Sequence, residues 1–260
     1  MPRFILTIEY AGTRYSGWQI QKNARTIAGE LERAIRTASG RATFELYGAG
    51  RTDAGVHAIA QVAHLQLDTR EAPATLLERI NDELPADINV LVMERAPQRF
   101  HARHDAVART YLYQIATRRT AFAKAFVWWV RDSLDVGAMR TAAAGFVGLK
   151  NFESFTAEDR DDVSRKVLVD RVEVVTDGSL LLVRVEGSHF LWKMVRRMVG
   201  VLVEVGRGGL TPPEAVAMLT VQSDLPARLI APASGLFLAR VYYPGQAREE
   251  RVRPIMHIGQ

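Results

Sequence analysis

Apolar and polar residues alternate at the start of the chain. Phe4, Leu6, Ile8 and Tyr10 fall on one side, and Ile5, Thr7 and Glu9 on the other, which is strand period. The period then changes. Thr26 is placed to cap a helix whose apolar positions are Ile27, Leu31, Ala34, Ile35 and Ala38, with Ser39-Gly40 as its end signal. A short strand over Ala42–Tyr47 leads into a glycine-rich loop, and a strand over Ala58–Leu67 leads out. Pro73 opens a second helix carrying Leu76, Leu77, Ile80 and Leu84, which Pro85 stops. Further strands are expected over Asn89–Arg95 and Arg109–Thr117, and a helix over Asp135–Phe146. Asp177-Gly178 reads as the turn of a hairpin between Lys166–Val175 and Ser179–Gly187. Phe190, Leu191, Met194, Val195, Met198, Val199, Leu202 and Val203 form a helical stripe. Thr211-Pro212-Pro213 opens another short helix, and Phe237–Tyr243 supplies a last strand.

This order (strand, helix, strand, strand, helix, strand, then a similar series) predicts an α+β protein. It has two related halves, each a mostly antiparallel sheet covered by helices. We divide it into an N-terminal half, 1–105, a C-terminal half, 106–245, and a polar tail, 246–260, expected to be less ordered. Thr156–Ser164, with Glu158, Asp159, Arg160, Asp161 and Asp162, is expected to be an exposed loop.

Composition narrows the chemistry. At 260 residues and 48% hydrophobic the chain can bury a sizeable core. It has no cysteine, which excludes disulfides, thiol nucleophiles and cysteine-based metal sites. Lys and Arg number 34 against 29 Asp and Glu, a net charge of +5 that favours a polyanionic partner. The start of the chain lacks the pattern of a signal peptide, and no segment has the length and apolarity of a membrane span, so a cytoplasmic protein is expected.

The densest candidate for chemistry is the loop Gly48-Ala49-Gly50-Arg51-Thr52-Asp53-Ala54-Gly55-Val56-His57. Its three glycines allow positive φ and close backbone approach. Arg51 can keep Asp53 ionised. The Gly-x-Gly lacks a P-loop lysine and is followed by a strand, so a nucleotide cofactor is rejected. Alternatively Asp53 only caps a turn or pairs with Arg51. His101 and His104 have the spacing of half a metal site with no third ligand in register, so no metal is expected; they sit instead in a basic stretch with Arg95, Arg99, Arg103 and Arg109. Tyr111 and Tyr113 point to one face of a strand. One is expected to pack in the core, and the other can stack on a base. Arg196, set in an apolar stripe, needs an anionic partner, for which Asp53 is a candidate.

Several motifs together resemble the tRNA pseudouridine synthase I (TruA) family over nearly the whole chain. They are Tyr10-Ala11-Gly12-Thr13-Arg14-Tyr15-Ser16-Gly17-Trp18-Gln19, Gly50–His57, Phe100-His101-Ala102-Arg103, Ala108-Arg109-Thr110-Tyr111-Leu112-Tyr113, Asn151-Phe152-Glu153-Ser154-Phe155, Met194-Val195-Arg196 and Pro232-Ala233-Ser234-Gly235-Leu236. The resemblance implies the pseudouridine synthase fold, a homodimer, and two halves that flank a central RNA-binding cleft. It implies isomerisation of uridine to pseudouridine in the anticodon stem-loop of tRNA, at tRNA positions 38–40, by base flipping, with no cofactor and no metal. Asp53 matches the catalytic aspartate. Tyr111 matches the tyrosine that packs on the target base and assists proton removal. Arg196 matches the arginine that pairs with the aspartate, and Arg51 the residue that holds the nucleotide out of the stack. Thr52, Gly55, His57, Arg103 and Arg109, within or beside the same motifs, are expected to bind substrate. The chain departs from the family pattern at Arg197, where a small polar residue is expected. It departs also at Ala28, in place of a common glutamine, and over Thr156–Lys166, which lacks a cysteine-containing stretch. The competing readings are a non-catalytic RNA-binding protein on the same scaffold and a nucleoside hydrolase, which would ordinarily need paired carboxylates.

Overall fold

The computed structural model describes residues 1–157 and 162–258. Glu158, Asp159, Arg160 and Asp161 of the expected acidic loop lie outside them. In chain order the elements are β1 (Arg3–Tyr10), α1 (Ile27–Ser39), β2 (Glu45–Gly48), β3 (His57–Gln66), α2 (Pro73–Glu83), β4 (Ile88–Ala96) and β5 (Ala108–Ala116). Then come β6 (Trp128–Trp129), α3 (Val136–Gly145), β7 (Gly148–Asn151), β8 (Lys166–Asp177), β9 (Leu180–Gly187), α4 (Met194–Gly206), α5 (Pro212–Ala217), α6 (Leu225–Arg228) and β10 (Leu236–Tyr242). They form two compact units. Met1–Val107 with Phe237–Gln246 make the first, and Ala108–Leu236 with Ala247–Gln260 the second.

In the first unit β1 runs antiparallel between β3 and β4. The other edge of β3 is shared. β2 pairs antiparallel with Ala63–Gln66, and β10 runs parallel beside His57 and Ala58. Phe4, Leu6, Ile8 and Tyr10 are buried, as their period requires. Thr26 accepts a hydrogen bond from the Gly29 amide, and Gly40 ends α1 in the left-handed conformation at φ +67°. Ile27, Leu31, Ile35, Leu76 and Ile80 bury the inner faces of α1 and α2, and α2 packs on α1 and β4.

The second unit is an antiparallel sheet in the order β5-β9-β8-β7, with β6 parallel to the end of β5. The β8–β9 hairpin turns at Asp177-Gly178, where Gly178 has φ +55°. Helix α3 packs on β8, α4 and α5. Helix α4 starts at Met194 and not at Phe190, because Lys193 adopts φ +63° and breaks the run.

Two departures from the sequence reading concern the end of the chain. The last strand belongs to the first unit, because the open edge of β3 offers Phe237 and Leu238 a parallel partner. The residues after it are pinned to the second unit by buried polar side chains. Arg184 donates to the Glu249 and Glu250 carbonyls at 2.9 and 3.0 Å, and the Gln114 carbonyl oxygen accepts from the Ile255 amide at 2.7 Å. Arg248 lies 3.2 Å from the buried carboxylate of Glu186. Arg184, only 4% exposed, also meets Glu173. Arg184→Ala should lower stability by about 2 kcal/mol, the worth of the charge-assisted hydrogen bonds that a buried guanidinium makes to the Glu249 and Glu250 carbonyls. It should also open the chain beyond Gln246 to limited proteolysis. An unchanged urea midpoint with an equally resistant tail would show that Arg184 does not hold this segment.

Candidate active site

Asp53 sits in a loop held from one side by the segment 10–18, and both lie in the first unit. The grip is made at backbone level. A Cβ on Gly12 would stand 1.9 Å from the Val56 carbonyl oxygen, and one on Gly17 would stand 2.5 Å from that of Thr52. Neither distance is possible for a real side chain, so only glycine lets the two segments close. Gly17 also has φ +93°. Hydrogen bonds then fix the register. The Trp18 amide donates to the Thr52 carbonyl at 3.1 Å, and the Gly55 amide to the Tyr15 carbonyl at 3.2 Å. The Gly12 amide donates to His57 Nδ1 at 3.0 Å, and the Tyr10 and Thr52 hydroxyls lie 2.8 Å apart. Within the loop, the Val56 amide donates to the Asp53 carbonyl at 3.1 Å, closing a turn at Gly55, φ +78°. Tyr15 is anchored in turn by its hydroxyl to Asp87, and burial together with that carboxylate pushes the phenol well above its usual range. Asp53 is half-buried on this support and Arg51 is exposed beside it.

The glycines divide their work differently from the sequence expectation. Of the three between 48 and 55, only Gly55 uses positive φ. Gly48 is required for space, since a Cβ there would lie 2.6 Å from the Trp18 ring.

In the second unit, Tyr111 and Tyr113 project from the same face of β5 with opposite fates. Tyr113 is fully buried. Its hydroxyl donates to the Pro232 carbonyl at 2.8 Å, and burial raises its pKa far above the phenol range. A Cβ on Gly235 would lie 2.6 Å from that ring, which accounts for the glycine of the Pro232–Leu236 motif. Tyr111 is half-buried and meets Phe190 edge to face at 5.3 Å, with planes at 89°. Arg196 lies on the first turn of α4. Its Nε donates to the Ala231 carbonyl at 2.8 Å, and the Ala231 amide donates back to the Arg196 carbonyl at 3.0 Å. Gly200 allows this closeness, since a Cβ there would stand 1.8 Å from the Leu229 carbonyl oxygen. With Nε committed, Arg196 would meet a carboxylate through its Nη nitrogens.

The remaining expected substrate contacts separate by burial. Arg103 is exposed. Thr52 and His57 are buried and brace the Asp53 loop. His57 also stacks on Phe237 at 4.8 Å. Gly55 supplies a turn. Arg109 is buried at the start of β5 and donates to the Ser188 carbonyl at 2.8 Å, so it is not part of the exposed basic stretch around Arg103. His101 Nδ1 accepts from the Arg103 and His104 amides, and no group of three His, Asp or Glu suited to a metal occurs among the described residues. Gly12, Tyr15, Gly17 and Trp18 have no individual role in the sequence reading beyond their place in one motif, and Tyr10 and Phe190 have only a strand and a helix assignment.

The family model for tRNA pseudouridine synthase matches residues 6–105 and 142–244. The chain belongs to this family. It is 40% identical over 246 residues to a tRNA pseudouridine synthase A of Rhodopseudomonas palustris (strain BisA53), covering 94% of this chain and 100% of the relative. It is 38% identical to one from Beijerinckia indica, covering 98% of each. It is 36% identical to one from Exiguobacterium sibiricum, covering 94% and 98%. The matched stretches contain the Asp53 loop, its brace and Arg196, whereas Tyr111 lies between them.

The brace can be tested. Gly12→Ala drives a methyl into the Val56 carbonyl and should cost about 3 kcal/mol. Tyr10→Phe removes one buried hydrogen bond and should cost about 1 kcal/mol. Urea unfolding of both variants checks the ranking, and a Gly12→Ala protein as stable as the parent would remove the brace.

Proposed function

We propose that this protein isomerises uridine to pseudouridine in tRNA, with Asp53 as the catalytic carboxylate. The observation that carries the reading is a half-buried aspartate on a loop held rigid at backbone level, in a chain of the tRNA pseudouridine synthase family. The reaction breaks the bond between C1′ and N1 of the uracil, turns the base, and joins C1′ to C5. The C5 proton leaves and N1 gains one, so the change is redox-neutral and balances without a cofactor. Asp53 serves either by attacking C1′ or by taking a proton from the ribose. The base must first leave its stack, at a cost of a few kcal/mol.

Tyr111 supplies a ring for the flipped base. Its hydroxyl assists removal of the C5 proton, and the Phe190 contact supports a fixed ring orientation. The family resemblance assigns Arg196 as the partner of Asp53 and Arg51 as the residue that holds the nucleotide out. Exposed Arg103 is suited to phosphate contact. We place the target on the 3′ side of the anticodon arm and the working enzyme as a cytoplasmic homodimer, on the same resemblance. No helix among the described residues is long and apolar enough to cross a membrane.

Tritium release from tRNA transcripts labelled at uridine C5 tests the activity. The parent should release tritium. Asp53→Asn should lose at least about 10²-fold in kcat while keeping the parent's Kd for tRNA. Near-parent turnover by Asp53→Asn would remove Asp53 from its role. Tyr111→Phe should retain more activity than Tyr111→Ala. Equal losses would put the whole effect on the hydroxyl and leave none for the ring.

A further inference from the structure

The segment 117–131, which runs from the end of β5 through β6, carries a run of exposed cations. It contains Arg118, Arg119, Lys124 and Arg131 and no carboxylate, four positive charges in a chain of net charge +5. All four are exposed. The next carboxylate, Asp132, is engaged by Arg207 at 2.8 Å. Between Arg119 and Lys124 stands Phe122, 98% exposed, and Trp129 is 42% exposed with the Arg119 guanidinium 5.9 Å from its ring centroid.

A lone exposed phenylalanine is ordinary. This one is presented on a fixed support. The Ala123 amide donates to the Thr120 hydroxyl at 3.3 Å, and the Phe126 amide to the Ala123 carbonyl at 2.8 Å. Gln114, buried in β5, donates to the Phe126 carbonyl at 3.0 Å, and the Val130 amide donates to the Ala116 carbonyl at 3.0 Å. Ala123, Val127 and Val130 are buried beneath. The turn is therefore anchored at both ends, with its ring and cations outward. A protein-binding core is depleted in charge. Rings interleaved with cations are the composition that meets unpaired bases and their phosphates.

We propose that this segment is a second RNA contact of the enzyme. Phe122 stacks on an unpaired base of the tRNA, and Arg118, Arg119 and Lys124 hold the flanking phosphates. The proposal rests on the tRNA-modifying reading and adds a binding surface outside Asp53, Tyr111 and Arg196.

The test measures binding of an unmodified tRNA transcript at several salt concentrations, for the parent, Phe122→Ala, and the triple variant Arg118→Gln/Arg119→Gln/Lys124→Gln. Phe122→Ala should weaken binding about fivefold or more. The triple variant should flatten the plot of log K against log salt by about 2. In both, KM should rise, and kcat from tritium release at saturating tRNA should equal the parent's. Parent-like Kd and salt slope in both variants would overturn the proposal. So would a change in sedimentation with unaltered tRNA affinity, which would make the surface a contact with another copy of the chain. Because Phe122 is nearly fully exposed, its truncation cannot fail through loss of packing. A parent that neither binds tRNA nor releases tritium would instead sink the functional reading. A parent that isomerises uridine while the variants match its affinity would sink this proposal alone.

Discussion

The candidate site depends on backbone passing against backbone where no side chain fits. Gly12 and Gly17 let the segment after β1 lie directly on residues 52–56, so the carbonyls and amides of the two stretches can satisfy each other. A loop held only by side chains would lose definition with each rotamer change. A loop held by its own peptide groups moves only if β1 and β3 move, and those strands are paired along their length. The rigidity of a sheet is thereby carried to a half-buried carboxylate at its end. Tyr10, Trp18 and His57 fill the remaining space and add polar ties.

The same device recurs in the second unit. Gly200 in α4 admits the Leu229 carbonyl, and the reciprocal bonds between Arg196 and Ala231 fasten the first turn of the helix to the chain that follows α6. Lys193 stands immediately before this helix in a left-handed conformation that costs a non-glycine residue about 1–2 kcal/mol. That cost is offset by the packing of Met194, Val195, Met198 and Val199. The apolar stripe of α4 therefore places an arginine where composition alone would not have kept one.

Much of this was legible in the sequence, and the limits have physical causes. Period-two burial in β1, the Thr26 cap, and the Asp177-Gly178 turn are local, and local rules found them. The different environments of Tyr111 and Tyr113 were also foreseen, since two residues on one strand face need not share one depth. What local rules missed depends on distant chain. The helical stripe runs on from Phe190 in sequence, because periodicity cannot register the one residue of positive φ, Lys193, that starts α4 later. Thr52, His57 and Arg109 each bond a partner far away in sequence, which no local rule reveals. The glycines of 48–55 were read for conformational freedom, whereas Gly48 is needed for the space taken by Trp18.

The placement of the last strand and the residues after it bears on how the protein is made. The first unit needs Phe237 and Leu238 to cover an edge of β3, and the second keeps Arg184, Gln114 and Glu186 waiting for residues beyond 247. While a ribosome is still short of residue 237, both sheets are synthesised but neither is sealed. A nascent chain at that stage exposes a strand edge and leaves part of the hydrogen-bonding capacity of Arg184, Gln114 and Glu186 unfilled. Its native contacts in both units are therefore completed only when nearly all of its residues have left the exit tunnel.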